Sequence, residues 1–236
     1  MRTPVSIKLV GITLLLAGAA GPAALQGQSG ATGQGGASDV AIGLRLGTLG
    51  AGLELGKQLM DHVSARVGIN FGSLNSTGKQ QSNIAYDVHL KLKALEALVD
   101  LYPAKRGVFH FTVGLLTNPM TITGDGQPSG SGTFTINNHA YTSTQVGTLS
   151  ASGKFPGALP YLGLGFGTPA RRGGRVKFLF DLGVGIGKPT LALSATGAAS
   201  NSTLLADLEA QRAKTQTDLD KLAVYPVISL GVAIHF

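Results

Sequence analysis

Apolar and polar residues alternate with a period of two along most of the chain after residue 39, and this pattern predicts β-strands. The clearest segment is Val176–Ile186, in which every even-numbered residue is apolar and the odd-numbered residues are Lys177, Leu179, Asp181 and two glycines. Seven further segments follow the same pattern, at residues 40–47, 51–56, 63–72, 86–93, 109–115, 161–167 and 224–236. The sequence therefore predicts eight strands.

Alternation alone fits a soluble β-sandwich as well as a membrane barrel. The second face of each strand favours the barrel, because glycine with a few charges suits a narrow, crowded lumen. Eight is an even number and the minimum for a transmembrane barrel. We therefore predict an all-β fold for residues 39–236, namely an eight-stranded antiparallel up-and-down transmembrane β-barrel.

The connections between the predicted strands alternate in length. Short turns are predicted at residues 57–62, 103–107 and 168–174, and long loops at residues 73–83, 124–155 and 195–221. Short periplasmic turns opposite longer outer loops are typical of outer-membrane barrels, and this asymmetry places the N-terminus of the barrel in the periplasm.

Three details depend on local pattern. Residues 203–222 predict a short helix in the last outer loop, capped near Ser202. Residues 130–136 and 141–150 of the longest loop suggest an extra hairpin. The apolar positions shift by one at residues 93–96 and 115–116, which predicts two β-bulges.

The first 25 residues fit a secretory signal peptide. Arg2 and Lys8 precede an apolar run at residues 9–20, and small residues follow it. The run is shorter than a membrane-spanning helix needs, so an N-terminal anchor is the weaker alternative. Residues 26–38 are rich in Gly, Ser and Gln and predict a flexible tether.

Composition narrows the chemistry. The chain has no cysteine, which excludes disulfides and thiolate sites. Its formal net charge is +7. No helix-turn-helix pattern or aromatic-basic patch accompanies this charge, so we expect no nucleic-acid partner.

The C-terminal strand carries a family resemblance. Residues 225–236 resemble the terminal strand of Gram-negative outer-membrane proteins, which end in Phe after alternating apolar residues. The resemblance implies location in the bacterial outer membrane and recognition by the barrel-assembly machinery through Leu230, Val232, Ile234 and Phe236. Residues 39–236 also resemble an uncharacterised group of barrels of the small OmpA/OmpW-like size class. This second resemblance implies a fold and a location but no activity.

Candidate catalytic or ligand-binding motifs are weak. The glycines at residues 163–167 and 183–187 lack the spacing and the following helix of a nucleotide site. The five histidines show no metal-ligand spacing. His139 lies near Ser143 and Asp125 in an outer loop but without an activating motif. We therefore predict no catalytic residue, cofactor or metal, and keep a lipid-modifying enzyme as a weak alternative.

Charged residues on the predicted inward face suggest a role for the lumen. Buried charges must pair or be hydrated, and an eight-stranded barrel has room inside only for side chains. The predicted lumen network comprises Arg45, Glu54, Arg66, Asp87, Lys91, Lys93, Lys177 and Asp181. Ion pairs among them would plug the barrel and favour a structural or surface-interaction role. The alternative is a narrow passive channel for small solutes or apolar molecules. We expect a monomer that contacts outer-membrane lipids.

Overall fold

The structure of the protein, a computed structural model, describes residues 40–81, 84–105, 107–117, 119–128, 133–168 and 175–236. The predicted signal peptide and tether, residues 1–25 and 26–38, lie outside the described residues. The strands of the described part are β1 (Val40–Gly47), β2 (Gly50–Met60), β3 (Val63–Gln81), β4 (Ile84–Leu101), β5 (Phe109–Thr117), β6 (Thr121–Pro128), β7 (Thr133–Ile136), β8 (His139–Thr142), β9 (Leu149–Lys154), β10 (Leu159–Phe166), β11 (Val176–Ile186), β12 (Thr190–Ala195) and β13 (Val224–His235). The helices are α1 (Ser143–Val146), a 3₁₀ helix (Thr196–Ser200) and α2 (Ser202–Leu219).

Eight strands close into a ring of antiparallel neighbours. Their order is β1, β2, β3, β4, β5, β10, β11 and β13, and β13 pairs with β1 to close the ring. Closure runs from the pairing of Ala41 with His235 to the pairing of Gly47 with Ser229. The predicted eight-stranded antiparallel barrel is confirmed.

The outer surface of the ring is apolar, as the two-residue alternation requires. Leu44, Leu53 and Val67 are 63%, 55% and 53% exposed on three successive strands. A continuous apolar belt is rare on a soluble monomer, whereas the outer band of a membrane barrel needs one. We call this belt the lipid-facing band. None of the described helices is long and apolar enough to cross a membrane.

The two ends of the ring differ. At one end, which we call the short-turn end, β2 and β3 are joined by the two residues Asp61 and His62. At the other end, the long-loop end, the connections from β5 to β10 and from β11 to β13 carry additional strands and helices. This is the predicted asymmetry of the loops.

Three strands of the ring continue beyond it across a proline. Pro119 separates β5 from β6, Pro156 separates β9 from β10, and Pro189 separates β11 from β12. β6 pairs with the far half of β4, β9 with β6, and β12 with β9. Proline cannot donate to a strand ladder, so three neighbouring breaks separate the barrel from an extension sheet formed by β6, β9, β12 and the far halves of β3 and β4.

An apolar core outside the ring holds together the hairpin and the helices of the long-loop end. The β7–β8 hairpin, α1, the 3₁₀ helix and α2 meet around Phe134, Ile136, Tyr141, Val146, Ala198, Leu204 and Leu208. Asn201 caps α2 by accepting a hydrogen bond from the Leu204 N–H. The predicted outer-loop helix is confirmed, and it begins at Ser202 and ends at Leu219.

Two of the predicted loops are largely strand. β3 extends to Gln81 through most of predicted loop 73–83, and predicted loop 124–155 contains parts of the extension sheet. The extra hairpin forms, but β7 pairs with His139–Thr142 and not with residues 143–150. Polar strands beyond the membrane show weaker alternation, because neither face needs to be apolar against lipid.

The two predicted bulges are wrong. β4 pairs with β3 without a shift from residue 88 to residue 101, and its pairing with β5 is also regular. The apolar residues change face in β4 because the strand leaves the lipid-facing band. Lys93 shares the outward face with Leu95, whereas Leu92 shares the inward face with Ala94.

Candidate functional site

The lumen is crossed at mid-height by a layer of buried charged side chains. Arg45 on β1 and Glu54 on β2 face inward from paired strands, and Arg45 Nε lies 2.8 Å from Glu54 Oε2. Arg45 also pairs with Asp181 of β11 and donates to Ser229 Oγ of β13 at 3.1 Å. These contacts join four strands across the closure of the ring.

Arg66 on β3 is the centre of the layer. Its side chain is 1% exposed and contacts three carboxylates. Arg66 Nη1 lies 3.0 Å from Glu54 Oε2, Nε lies 2.6 Å from Asp100 Oδ2, and Nη2 lies 3.0 Å from Asp181 Oδ1. The guanidinium therefore connects β2, β4 and β11 through the middle of the barrel.

Neutral and ionisable groups complete the layer around Asp100 and Asp181. Thr112 Oγ1 donates to Asp100 Oδ1 at 2.8 Å, and Ser64 Oγ donates to Asp100 Oδ2 at 3.2 Å. His110 Nε2 lies 3.3 Å from Asp181 Oδ1. We call Arg45, Glu54, Ser64, Arg66, Asp100, His110, Thr112, Asp181 and Ser229 the charged layer.

Glycine on the inward face makes room for this layer. A Cβ at Gly165 would collide with His110 Nε2 and Asp181 Oδ1, and one at Gly68 would collide with Glu96 Oε1. The frequent inward glycines are therefore a packing requirement of the filled lumen, as the sequence pattern predicted.

Little space is left inside the barrel. The cavity lined by Arg45, Arg66, Glu96 and Tyr161 has a volume of about 10 Å³, room for about one water molecule. Towards the long-loop end the lumen is filled by an apolar cluster. Its buried members are Leu49, Ala94, Leu98, Leu116, Phe155, Leu159, Tyr161, Tyr225 and Val227.

The structure brings together four of the eight charged residues predicted to line the lumen. Arg45, Glu54, Arg66 and Asp181 all belong to the charged layer. Lys177 faces inward and is half-buried, but it lies beyond Leu179 towards the short-turn end.

The other three predicted lumen charges lie outside the lumen. Asp87, Lys91 and Lys93 are exposed on the outward face of β4, the face that carries Leu95. The prediction that these three residues line the lumen is wrong. The alternation of β4 continues without a bulge, so beyond the lipid-facing band its inward face is apolar and the three charges lie outside.

Sequence reasoning missed several members of the interior. Glu96 and Asp100 are the inward neighbours of Leu98 on β4, and Asn70 hydrogen-bonds Glu96. Continuing the alternation through residues 94–101 without a bulge would have placed both carboxylates inside. His110 had the correct phase but was not assigned to the network.

The residues of the predicted assembly signal lie on β13, which pairs with β1 and β11. Leu230, Val232, Ile234 and Phe236 are 62%, 39%, 49% and 60% exposed on the outer surface. Recognition by an assembly machinery stays a prediction.

A second polar cluster fixes the surface elements to α2. The carboxylate of Asp207 accepts hydrogen bonds from Asn137 Nδ2 at 3.0 Å, from the Tyr141 hydroxyl and from His139 Nδ1 at 2.6 Å. The hydrogen bonds from Asn137, Tyr141 and His139 lower the pKa of Asp207 to about 2. No group of three or more His, Asp or Glu side chains within the described ranges is arranged to hold a metal ion.

A closed antiparallel ring with an apolar exterior and a filled, charged interior defines the class of this protein, a transmembrane β-barrel. Two solved structures share the fold, and both are barrels of Acinetobacter baumannii that cover 84% of this chain and 98% of their own. CarO2 matches with a TM-score of 0.53 and 18% sequence identity, and CarO with a TM-score of 0.51 and 19% identity. No protein-family model and no curated protein sequence matches the chain.

Proposed function

We propose that this protein is a bacterial outer-membrane β-barrel with a closed lumen, which anchors a folded surface structure in the membrane. The surface structure consists of the extension sheet, the β7–β8 hairpin and α2. Its role is structural or one of surface interaction, and its function does not require passage of solute through the barrel.

The charged layer is the observation that carries this proposal. Its two arginines and three carboxylates lie across the whole lumen, and each arginine contacts carboxylates from two or more strands. Water in a continuous channel would hydrate the two arginines and the three carboxylates, whereas the side chains of these residues are at most 5% exposed. An interior of this width is filled by side chains in eight-stranded barrels.

The difference between the two ends of the ring supports an orientation in which the long-loop end faces outward. In barrels of this class the short turns face the periplasm and the long loops face outward. The extension sheet and α2 both lie at the long-loop end, so the proposed orientation places them outside the cell. The Asp207 cluster would then be exposed to the external medium.

A liposome-swelling assay tests the closed lumen. Unmodified protein should admit neither ions nor small sugars. The test variant combines Arg45→Ala and Glu54→Ala with Leu116→Ala and Leu159→Ala of the apolar cluster, so it widens the lumen at both levels while the balance of charge is kept. We expect measurable swelling with this variant only.

The matched control is Glu209→Ala, Arg212→Ala, which removes an exposed ion pair of α2 whose Glu209 Oε2 and Arg212 Nε lie 2.9 Å apart. It should behave like the unmodified protein. Swelling with unmodified protein at the rate of a general porin would contradict the proposal and favour the narrow channel.

A further inference from the structure

Four exposed lysines lie together on one side of the barrel, just beyond the lipid-facing band. Lys91 and Lys93 are on β4, Lys154 ends β9, and Lys188 lies in the break before β12. Lys91 is paired with Thr121, and Thr121 with Lys154, so these three side chains project from the same face. Strand spacing puts Lys91 about 10 Å from Lys154 and about 7 Å from Lys93. We call the four lysines the lysine patch.

The patch lies where the surface changes from apolar to polar. Lys93 is two residues from Leu95, which is 51% exposed in the lipid-facing band, and Ala94 between them is buried inside. Ile186, 42% exposed, precedes Lys188 at the same level of the barrel. A lipid whose chains cover this part of the band would bring its headgroup to the lysine patch.

The charge of the patch is not neutralised by the protein. Within the part of the chain that the structure describes, none of the four lysines forms an ion pair, whereas Lys221, just after α2, pairs with Asp218 at 2.8 Å. Two acids on the same face of the extension sheet, Asp87 and Asp125, are opposite one another. They lie four residues further along the strand, about 14 Å from Lys91.

We propose that the lysine patch binds the phosphorylated headgroup of a membrane lipid in the leaflet at the long-loop end. This inference rests on the proposed outer-membrane location. Each ammonium group offers three N–H donors and a full positive charge, which suit phosphate. The hydroxyl group of Thr121 lies in the same row and adds a neutral donor. The apolar band below the patch selects a lipid over a soluble phosphate, because only a lipid contacts both surfaces.

Lipid binding to the purified protein in detergent micelles tests this proposal. The probe is lipid A, a phosphorylated glycolipid, and phosphatidylcholine is the zwitterionic comparison. Bound lipid is measured by native mass spectrometry. The patch variant combines Lys91→Gln, Lys93→Gln, Lys154→Gln and Lys188→Gln. Basic residues near a membrane surface each contribute to the attraction for anionic lipid. We therefore expect the apparent Kd of the patch variant for lipid A to rise at least about tenfold.

The control variant removes four lysine charges that lie outside the lysine patch. It combines Lys57→Gln and Lys105→Gln at the short-turn end with Lys214→Gln on α2 and Lys221→Gln just after it. The proposal predicts a change of less than about twofold for this variant, because the effect of net charge on detergent-bound lipid is small beyond a Debye length. Both variants are checked for the compact, heat-modifiable gel band of a folded barrel. If the combined patch variant does not fold, single Lys91→Gln and Lys154→Gln variants replace it, each with weaker lipid A binding.

Three results would overturn the proposal. An equal loss in both variants would show attraction by net charge alone. Equally tight binding of phosphatidylcholine would show that anionic phosphate is not recognised. Displacement of lipid A by glycerol 3-phosphate would identify a soluble phosphate compound as the ligand. None of these results bears on the closed lumen, which the swelling assay tests separately.

Discussion

Arg66 shows how a single side chain organises the interior of this barrel. A guanidinium buried in a narrow lumen is costly unless its charge is paired, and Arg66 forms ion pairs with carboxylates from three different strands. Its planar fork fits several carboxylates at once, which the point charge of lysine does not. The layer therefore stabilises the barrel only as a complete set.

Substitution of Arg66 tests this cooperativity. Arg66→Gln leaves Glu54, Asp100 and Asp181 buried with too few partners, so we expect the free energy of unfolding in lipid vesicles to fall by about 3–5 kcal/mol. Urea titration with the heat-modifiable gel shift as readout measures the loss. Glu209→Gln, in an exposed pair on α2, should cost less than about 1 kcal/mol. Equal effects of the two substitutions would show that the layer contributes little.

Asp207 makes the surface structure dependent on acid pH. Its pKa is lowered from the ordinary 3.8 to about 2 by hydrogen bonds from Asn137, Tyr141 and His139. A carboxyl group whose folded pKa is depressed stabilises the fold above its unfolded pKa, and this contribution is lost as pH falls through the folded value. The contribution of Asp207 is thus complete above about pH 4 and disappears by about pH 2.

We expect the β7–β8 hairpin to stay packed on α2 at pH 5 and to open between about pH 4 and pH 2. Amide exchange of Phe134 and Ile136, measured across this range, reports the opening. Asp207→Asn should weaken protection at pH 5 and remove the contribution of this group to the pH dependence. Unchanged exchange between the variant and the unmodified protein would contradict the role given to Asp207.

The sequence predicted about half of the charged layer. Alternation placed Arg45, Glu54, Arg66 and Asp181 on the inward face, because the pattern in these four strands is regular. It missed Asp100, because a change of the apolar face along β4 produces the same sequence pattern as a bulge. A bulge moves the chain by one residue, whereas a strand that crosses a lipid boundary exchanges which face is apolar. Residue order alone does not separate these two cases.

At the scale of elements, α2 covers an edge that would otherwise be open. β12 is the last strand of the extension sheet, and Gln216 of α2 occupies its free side. The Leu191 N–H donates to Gln216 Oε1 at 2.9 Å, and Gln216 Nε2 donates to the Pro189 carbonyl at 2.8 Å. Exposed sheet edges invite pairing with other chains, so the helix protects the surface structure from aggregation.

Replacement of residues 203–222 by a short Gly/Ser linker separates the two parts of the molecule. The ring of eight strands contains none of these residues, and a barrel is stabilised by its closed ladder and lipid-facing band. We expect the compact, heat-modifiable band on a denaturing gel to persist. Proteolysis between β6 and β9 should become faster, because the apolar core under α2 is opened. Loss of the compact band would show that α2 is part of the barrel's own stability.

The extension sheet was not predicted from the sequence. All eight ring strands were found, because lipid on one side and a packed lumen on the other impose strict alternation on them. The prolines at residues 119, 156 and 189 lie between the predicted strands, and no signal in one sequence shows that three breaks align across neighbouring strands. Their alignment depends on register, which is set by long-range pairing.

At the scale of the whole molecule, we propose two functional surfaces and a closed interior. The lysine patch lies at the boundary with lipid, the Asp207 cluster holds the outer surface elements, and the charged layer with the apolar cluster fills the lumen between the two ends. The central claim is that no continuous aqueous path runs through this interior.

Conductance of the unmodified protein in a planar lipid bilayer tests that claim most directly. Ion pairs that fill the lumen leave no hydrated path, so the account predicts insertion without steady current at physiological salt, over voltages that the bilayer tolerates. Insertion is verified independently by recovery of the heat-modifiable protein from the same bilayer preparation. A stable unitary current that prefers anions or cations would contradict the account, because it requires a water-filled path through the charged layer.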